Sequence, residues 1–255
     1  MDMKDLKIIV TGAASGMGRH FALRLAQLGG AVAAADMNQE GLASLVAEAA
    51  GAEGRIVPLT VNVADEASVA AMINDAYAQL GGLNGLINNA GIFRDGLLVK
   101  PDRDSGEIKK MSLKQWQSVI DVDLTGPFLC TRDFAAKVIE TGTKESVIVN
   151  ISSISRHGNA GQGNYSAAKA GLVADTKLWA LELARYGVRV AAIAPGFVDT
   201  PILQGMRPEV LEKMLSAVPL RRTGSTEEIF LGVKFIVECG FFTGKCLDID
   251  GGMVL

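Results

Sequence analysis

Three cysteines, two histidines and two tryptophans are all that 255 residues contain of these types. Cys130, Cys239 and Cys246 have no metal-ligand spacing, and His20 and His157 are too few for a zinc site or a histidine-based triad. No metal is expected. The cysteines read as buried small hydrophobes of a reducing cytoplasm. His157 reads as a loop residue rather than a catalyst. Positive charge is not in excess: the formal net charge of −3 argues against nucleic acid or an anionic membrane surface as partner. No apolar stretch approaches the ~18 residues that span a bilayer. Met1 to Lys7 is too charged and too short for a signal peptide. Internal repeats and low-complexity segments are absent too. A cytoplasmic location, with no membrane partner, is the expectation.

Hydrophobic residues make up 49% of the chain, enough for one large α/β domain over residues 1–255. Short apolar runs predict strands at Lys7–Thr11, Ala31–Asp36, Arg55–Val61, Gly85–Asn88, Ser146–Ser152, Val188–Ala194 and Cys246–Ile249. Such runs fit strands buried on both faces of a parallel sheet. Between them lie helical stretches. Asp65 to Leu80 carries Val69, Ile73, Ala76 and Leu80 on one face. Ser112 to Gln115 reads as a capping box opening a long helix, which Pro127 should kink. Repeated βαβ units predict a Rossmann-type, doubly wound parallel sheet of about seven strands with helices on both faces, ligands sitting at the strands' carboxyl ends.

The first strand runs into Thr11-Gly12-Ala13-Ala14-Ser15-Gly16-Met17-Gly18. Phe21, Leu25 and Leu28 then repeat at helical spacing. Strand, glycine-rich turn and helix form the setting of a dinucleotide pyrophosphate site. The glycines permit a tight turn and close approach of the main chain, and the helix start offers free N–H groups. A plain flexible turn is the bland alternative.

Further along, Tyr165 and Lys169 stand four apart ahead of a helical stretch, so they share a face. A cation beside a phenol stabilises the phenolate and gives a tyrosine usable as acid or base. Alone this pairing is a weak signal, because both residue types are common on helix surfaces.

The loop spacing Gly-x-x-x-Gly-x-Gly resembles that of the short-chain dehydrogenase/reductase family, and the resemblance extends over nearly the whole chain. Asn88-Asn89-Ala90-Gly91, Ser152-Ser153 with Tyr165 and Lys169, Pro195 to Thr200, and Asp250-Gly251-Gly252 match its further motifs in order. The overall look is that of 3-oxoacyl-(acyl-carrier-protein) reductase-like members. The resemblance implies that Gly12, Ser15, Gly16, Met17 and Gly18 cradle a nicotinamide dinucleotide. It further implies that Asn62 and Val63 flank the adenine and that Asn89, Ala90 and Gly91 pass beneath ribose and nicotinamide. Pro195, Gly196, Val198 and Thr200 would line the carboxamide end.

Asp36 ends the second strand 18 residues after Gly18. A carboxylate there accepts from ribose hydroxyls and repels a 2′-phosphate. Met37, Asn38 and Gln39 supply no cation, and Ser15 is neutral where NADP-dependent relatives often carry a basic residue. NAD is therefore the expected cofactor, with a helix-capping Asp36 as the alternative.

By resemblance Tyr165 exchanges a proton with the substrate oxygen, Lys169 lowers the tyrosine pKa and holds the nicotinamide ribose, and a serine binds the carbonyl. Strand register selects Ser153 as that serine, whereas the spacing of thirteen to Tyr165 selects Ser152. Ser153 is favoured because loops accept deletions more readily than strands slip. Asp123 stands where the family usually has Asn, whose main-chain carbonyl supports a proton path to the lysine. A backbone role survives this change and is favoured, because Val122 and Leu124 to Gly126 keep the family pattern; the carboxylate could also raise the lysine pKa and weaken its effect on Tyr165. Lys100 to Lys110 lengthens the link before Trp116 by roughly ten residues, either as a functional lid or contact surface or as a solvated excursion.

The expected activity is an NAD-dependent secondary alcohol dehydrogenase or ketone reductase, working in the oxidative direction. The alternatives are a 3-oxoacyl-thioester reductase and a catalytically weakened NAD-binding interaction protein. Biosynthetic reductases of the first kind usually prefer NADPH, so Asp36 counts against it. Ile202, Leu203, Met206, Met214 and Leu215 suggest an apolar substrate or simple packing. The family implies a homotetramer or homodimer.

Overall fold

In a computed structural model, which describes residues 1–102, 104–200, 203 and 208–253, the first apolar run becomes β1 (Lys7–Thr11) at the middle of a seven-stranded sheet. The order is β3-β2-β1-β4-β7-β8-β9, and every neighbouring pair is parallel. Its other strands are β2 (Ala31–Asp36), β3 (Arg55–Thr60), β4 (Gly85–Asn88), β7 (Ser146–Ile151), β8 (Val188–Pro195) and β9 (Cys246–Ile249). Sequence periodicity placed all seven; β3 and β7 stop one residue earlier than predicted and β8 runs one further. The chain winds outward from β1 to β3, then restarts at β4 and winds the other way. The switch point therefore lies between β1 and β4, where a doubly wound sheet opens its ligand crevice.

Period-two alternation splits the strand side chains between two apolar layers. Ile8 and Val10 face α1 (Gly16–Gln27), α2 (Gln39–Glu48) and α7 (Thr226–Glu238), with Phe21, Leu25 and Phe230 fully buried. Ile9 faces α3 (Glu66–Leu80) and α5 (Gly126–Glu140), where Val69, Ile73 and Phe134 are buried. α2, α3 and α7 start where a side chain accepts from a free N–H group. Asp65 accepts from Ser68 N, and Ser225 with Glu228 makes a reciprocal capping box. Asn38, not Asp36, caps α2.

The long helix after Ser112 is interrupted, but upstream of Pro127. A π-helical turn at Asp121–Thr125 separates α4 (Leu113–Ile120) from α5. Pro127 has no N–H for the Asp123 carbonyl four residues back, so an ordinary helical bond cannot form there. Gly126 N bonds to Asp121 O across the wider turn instead. The predicted capping box is half formed: Ser112 Oγ accepts Gln115 N at 3.1 Å, while the Gln115 amide turns to the carbonyls of Arg94 and Asp95.

The Lys100–Lys110 segment, read as a loop, contains a two-stranded antiparallel hairpin of β5 (Val99–Pro101) and β6 (Ile108–Lys110), exposed on both faces. Arg103 lies outside the described residues. Of the cysteines, Cys130 is buried as expected, with its thiol pushed up to about 12 by burial, but Cys239 and Cys246 are only half-buried at the chain's far edge. Among the described residues no helix is long and apolar enough to cross a membrane.

Candidate active site

The crevice at the switch point is built first from backbone. Gly12 takes φ +68° and Gly16 φ +55°, left-handed conformations that favour glycine. At Gly18 the constraint is space: a Cβ there would stand 2.2 Å from Gly12 O. Thr11 Oγ1 donates to Ile87 O and accepts from the N–H groups of Asn89 and Ala90, while the Asn89 amide donates to the Thr11 and Gly12 carbonyls. These bonds weld the glycine loop to the end of β4. Ser15 makes no side-chain cap, so the first N–H groups of α1, at Gly16, Met17 and Gly18, face the crevice without helical partners. A cradle of this shape, too tight for side chains and rich in free N–H donors, fits a pyrophosphate.

Asp36 lies at the edge of the loop. Its carboxylate accepts from Ala14 N at 3.0 Å and from Asn38 N at 2.9 Å. Met37 beside it is 68% exposed. Arg19, the cation closest in sequence to the loop, is already committed to Glu48, Ser44 and the Gly41 carbonyl. Asn62 is exposed and folds its carbonyl onto Ala64 N, whereas Val63 is buried and packs under Gly126. On the other side of the crevice, β8 ends at Pro195 and Gly196 N bonds to Ile249 O. Val198 is buried, and the Thr200 methyl comes within 4.0 Å of where a Gly16 Cβ would stand. Thus the segment after β8 closes over the glycine loop. Leu203, Met214 and Leu215 are half-buried; Ile202 and Met206 lie outside the described residues.

The second half of the site belongs to α6 (Gly163–Leu183) and the loop after β7. Tyr165 and Lys169 sit one helical turn apart, with Lys169 Nζ 5.4 Å from the Tyr165 ring centre. Both are nearly fully buried. Lys169 Nζ donates to Ile151 O at 3.0 Å. Asp123, wholly buried, turns its carboxylate into the same space: Oδ1 accepts Ile92 N at 2.9 Å and Oδ2 lies 3.3 Å from Lys169 Nζ. That is ion-pair range, and Oδ2 has no other polar partner. The structure therefore brings the Asp123 side chain, and not only its main chain, to the lysine.

The two candidate serines part company. Ser152 Oγ is buried and donates to the main-chain carbonyl of Lys169 at 2.9 Å. Ser153 starts a short 3-10 turn, Ile154–His157; its Oγ accepts Ser155 N at 3.1 Å and is near enough to the Tyr165 phenol to favour its ionised form. His157 is exposed.

Burial pushes the Tyr165 phenol above its usual range. Lys169 and the Ser153 hydroxyl pull it down, but Asp123 and Asp95 push it further up. The sequence expectation that Lys169 lowers the tyrosine therefore describes one contribution and not the balance. Burial opposes charge on Lys169, yet Asp123 and Tyr165 outweigh it and hold the ammonium protonated.

Three neighbours carried no sequence signal. Phe93 stacks on Tyr165 with ring centres 4.6 Å apart. The Asn164 side chain donates to the Arg94 and Gln115 carbonyls and accepts Tyr165 N. Gly96 N bonds to Gly161 O at 2.7 Å. Together they tie the Phe93–Gly96 segment across the mouth of the site.

With this geometry in place, comparison with known proteins is informative. Residues 12–254 match a family model described as enoyl-(acyl carrier protein) reductase. The 3-oxoacyl-(acyl-carrier-protein) reductase FabG of Thermotoga maritima is 39% identical over the whole of both chains. A 3-oxoacyl-(acyl-carrier-protein) reductase of Synechocystis is 37% identical, covering 97% of this chain and 96% of its own. The (2S)-((R)-hydroxy(phenyl)methyl)succinyl-CoA dehydrogenase subunit BbsD of Thauera aromatica is 34% identical over 100% of this chain and 99% of its own. A crystal structure provisionally described as a short-chain alcohol dehydrogenase from Sinorhizobium meliloti superposes with a TM-score of 0.86 at 31% identity, covering 97% of this chain and 96% of that one. The chain belongs to the short-chain dehydrogenase/reductase family.

Proposed function

We propose that the protein interconverts a 3-oxoacyl thioester and the corresponding 3-hydroxyacyl thioester, with NAD(H) as redox partner. The observation that carries the reading is that Tyr165 and Lys169 lie buried together on one face of α6 beside the glycine cradle, with Ser153 at the start of the turn next to the phenol. The thioester class comes from the names of the relatives, which favour the reductase reading over a simple secondary-alcohol dehydrogenase.

The nicotinamide cofactor supplies the hydride when bound. The protein's own residues do the rest. Gly12, Gly16, Met17 and Gly18 receive the pyrophosphate, Asp36 the adenosine ribose, and Asn89, Ala90 and Gly91 underlie the nicotinamide end. Tyr165 gives its hydroxyl proton to the carbonyl oxygen, and Ser153 steadies the charge that grows there. Lys169 holds the phenolate left behind.

The choice of NAD rests on Asp36, whose carboxylate at the edge of the glycine loop would repel a 2′-phosphate, and on Arg19, whose guanidinium is already engaged with Glu48. A homotetramer or homodimer is part of the same reading, supported by large apolar side chains left exposed on α5, α6 and the loop before β9, among them Phe128, Leu181 and Phe241. The testing experiment is a substrate panel of 3-oxoacyl-CoA thioesters and simple ketones, each with NADH and NADPH. The thioester with NADH should give the highest kcat/KM.

A further inference from the structure

Asp123 is a buried acid set against the proposed proton donor's own lysine. The π-helical turn carries it inward until none of it is exposed. Ile92 N holds one carboxylate oxygen and Lys169 Nζ faces the other. Gly91 makes this possible, because a Cβ there would stand 2.8 Å from Asp123 Oδ2 and 3.5 Å from Lys169 Nζ. Other charges reach the phenol from separate elements: Lys169 from α6 and Asp95 from the segment after β4. Asp121, on the same turn as Asp123, is half-buried and its carboxylate is taken by Gln117.

An unpaired lysine cation would stabilise the Tyr165 phenolate with a full charge. An Asp–Lys pair offers only a dipole, since its two charges cancel at a distance. We propose that Asp123 is a positioning residue that acts through Lys169: its carboxylate takes up the ammonium's charge, so Tyr165 remains a proton donor through neutral pH and serves as a base only in alkaline solution. This deepens the reading of the site as a carbonyl reductase and rests on it. In reduction the carbonyl carbon gains a hydride from the nicotinamide and the carbonyl oxygen gains the Tyr165 proton. C=O becomes CH–OH and the phenol becomes phenolate, to be reprotonated from solvent. A phenol that stays protonated is matched to that direction. Alcohol oxidation must first remove the proton, so its rate climbs only as pH rises.

Asp123→Asn keeps the shape and removes the charge. The test has two readouts. The first is the pH profile of kcat/KM in both directions, for unmodified protein and the variant. The midpoints at which reduction falls and oxidation rises should both move to lower pH in Asp123→Asn, by at least roughly one unit. Midpoints that stay in place or move upward overturn the proposal. The second needs no substrate and survives failure of the functional reading. The ultraviolet absorbance of tyrosinate is titrated in the unmodified protein and in Asp123→Asn, each against the same protein carrying Tyr165→Phe, so that the difference isolates Tyr165. A Tyr165 midpoint that falls in Asp123→Asn supports the proposal, and one that stays in place or rises overturns it. If the titration supports it and no thioester or ketone is turned over, the functional reading has failed and the role of Asp123 stands.

Discussion

Ser152 Oγ donates to the main-chain carbonyl of Lys169 at 2.9 Å, so its hydroxyl is spent on holding α6 in place. Its neighbour Ser153 is the serine whose hydroxyl favours ionisation of the Tyr165 phenol. Two substitutions separate these roles. Ser153→Ala should lower kcat by ~10²-fold, the scale of losing one oxyanion-type donor, while losing about 1 kcal/mol with the capping bond to Ser155 N. Ser152→Ala should keep turnover within about tenfold and lose about 1 kcal/mol of stability with the buried hydrogen bond. Steady-state kinetics and thermal melts on both variants check this, and the reverse ranking would restore Ser152.

The glycine cradle makes a second prediction. At Gly18 a methyl group would stand 2.2 Å from Gly12 O and 2.4 Å from the Asn89 amide nitrogen, both part of the weld between β1 and β4. Overpacking of this kind costs about 1–3 kcal/mol. Gly18→Ala should lower Tm by several degrees and weaken NAD binding more than tenfold. Gly51→Ala serves as the control, because a Cβ there meets nothing within 4 Å, although its φ of +86° carries some strain. Calorimetry of NAD binding to the two variants decides.

Asp36 should govern cofactor choice. Placing a phosphate against its carboxylate sets like charges together while Arg19 is engaged elsewhere. A tenfold preference for NADH over NADPH corresponds to about 1.4 kcal/mol. The unmodified protein should exceed that ratio in kcat/KM, and Asp36→Ala should narrow it. Equal efficiency with both cofactors in the unmodified protein would remove Asp36 from this role.

What the sequence made legible follows from where its physics is local. The central parallel strands are buried, largely apolar runs and could be read directly; the edge strands β3 and β9, half-exposed, were also placed, and α3 declared itself through Val69, Ile73, Ala76 and Leu80. The glycine loop was readable because strand, turn and helix adjoin in sequence. The β5–β6 hairpin was not, since its charged residues face solvent on both sides and no alternation marks it. Pro127 announced a break in the helix, but the π-helical turn fell upstream, where the missing N–H is felt. The contacts of Asp123 depend on that turn, and the stacking of Phe93 on Tyr165 depends on a chain crossing seventy residues away in sequence. Part of the balance of effects on Tyr165 was readable, Lys169 from its spacing and Asp123 from the resemblance, whereas burial and Asp95 come from the fold.

The central claim is that Tyr165 passes a proton to the carbonyl of a 3-oxoacyl thioester, and one measurement meets it directly. NADH oxidation is followed on acetoacetyl-CoA, a short 3-oxoacyl thioester, with unmodified protein and with Tyr165→Phe. The variant keeps the ring that stacks on Phe93 and loses only the hydroxyl. The unmodified protein should turn the thioester over, and the variant should be slower by ~10²-fold or more with NADH binding retained. Turnover at the same rate in Tyr165→Phe would contradict the account, and so would an unmodified protein that binds NADH and leaves every 3-oxoacyl thioester untouched.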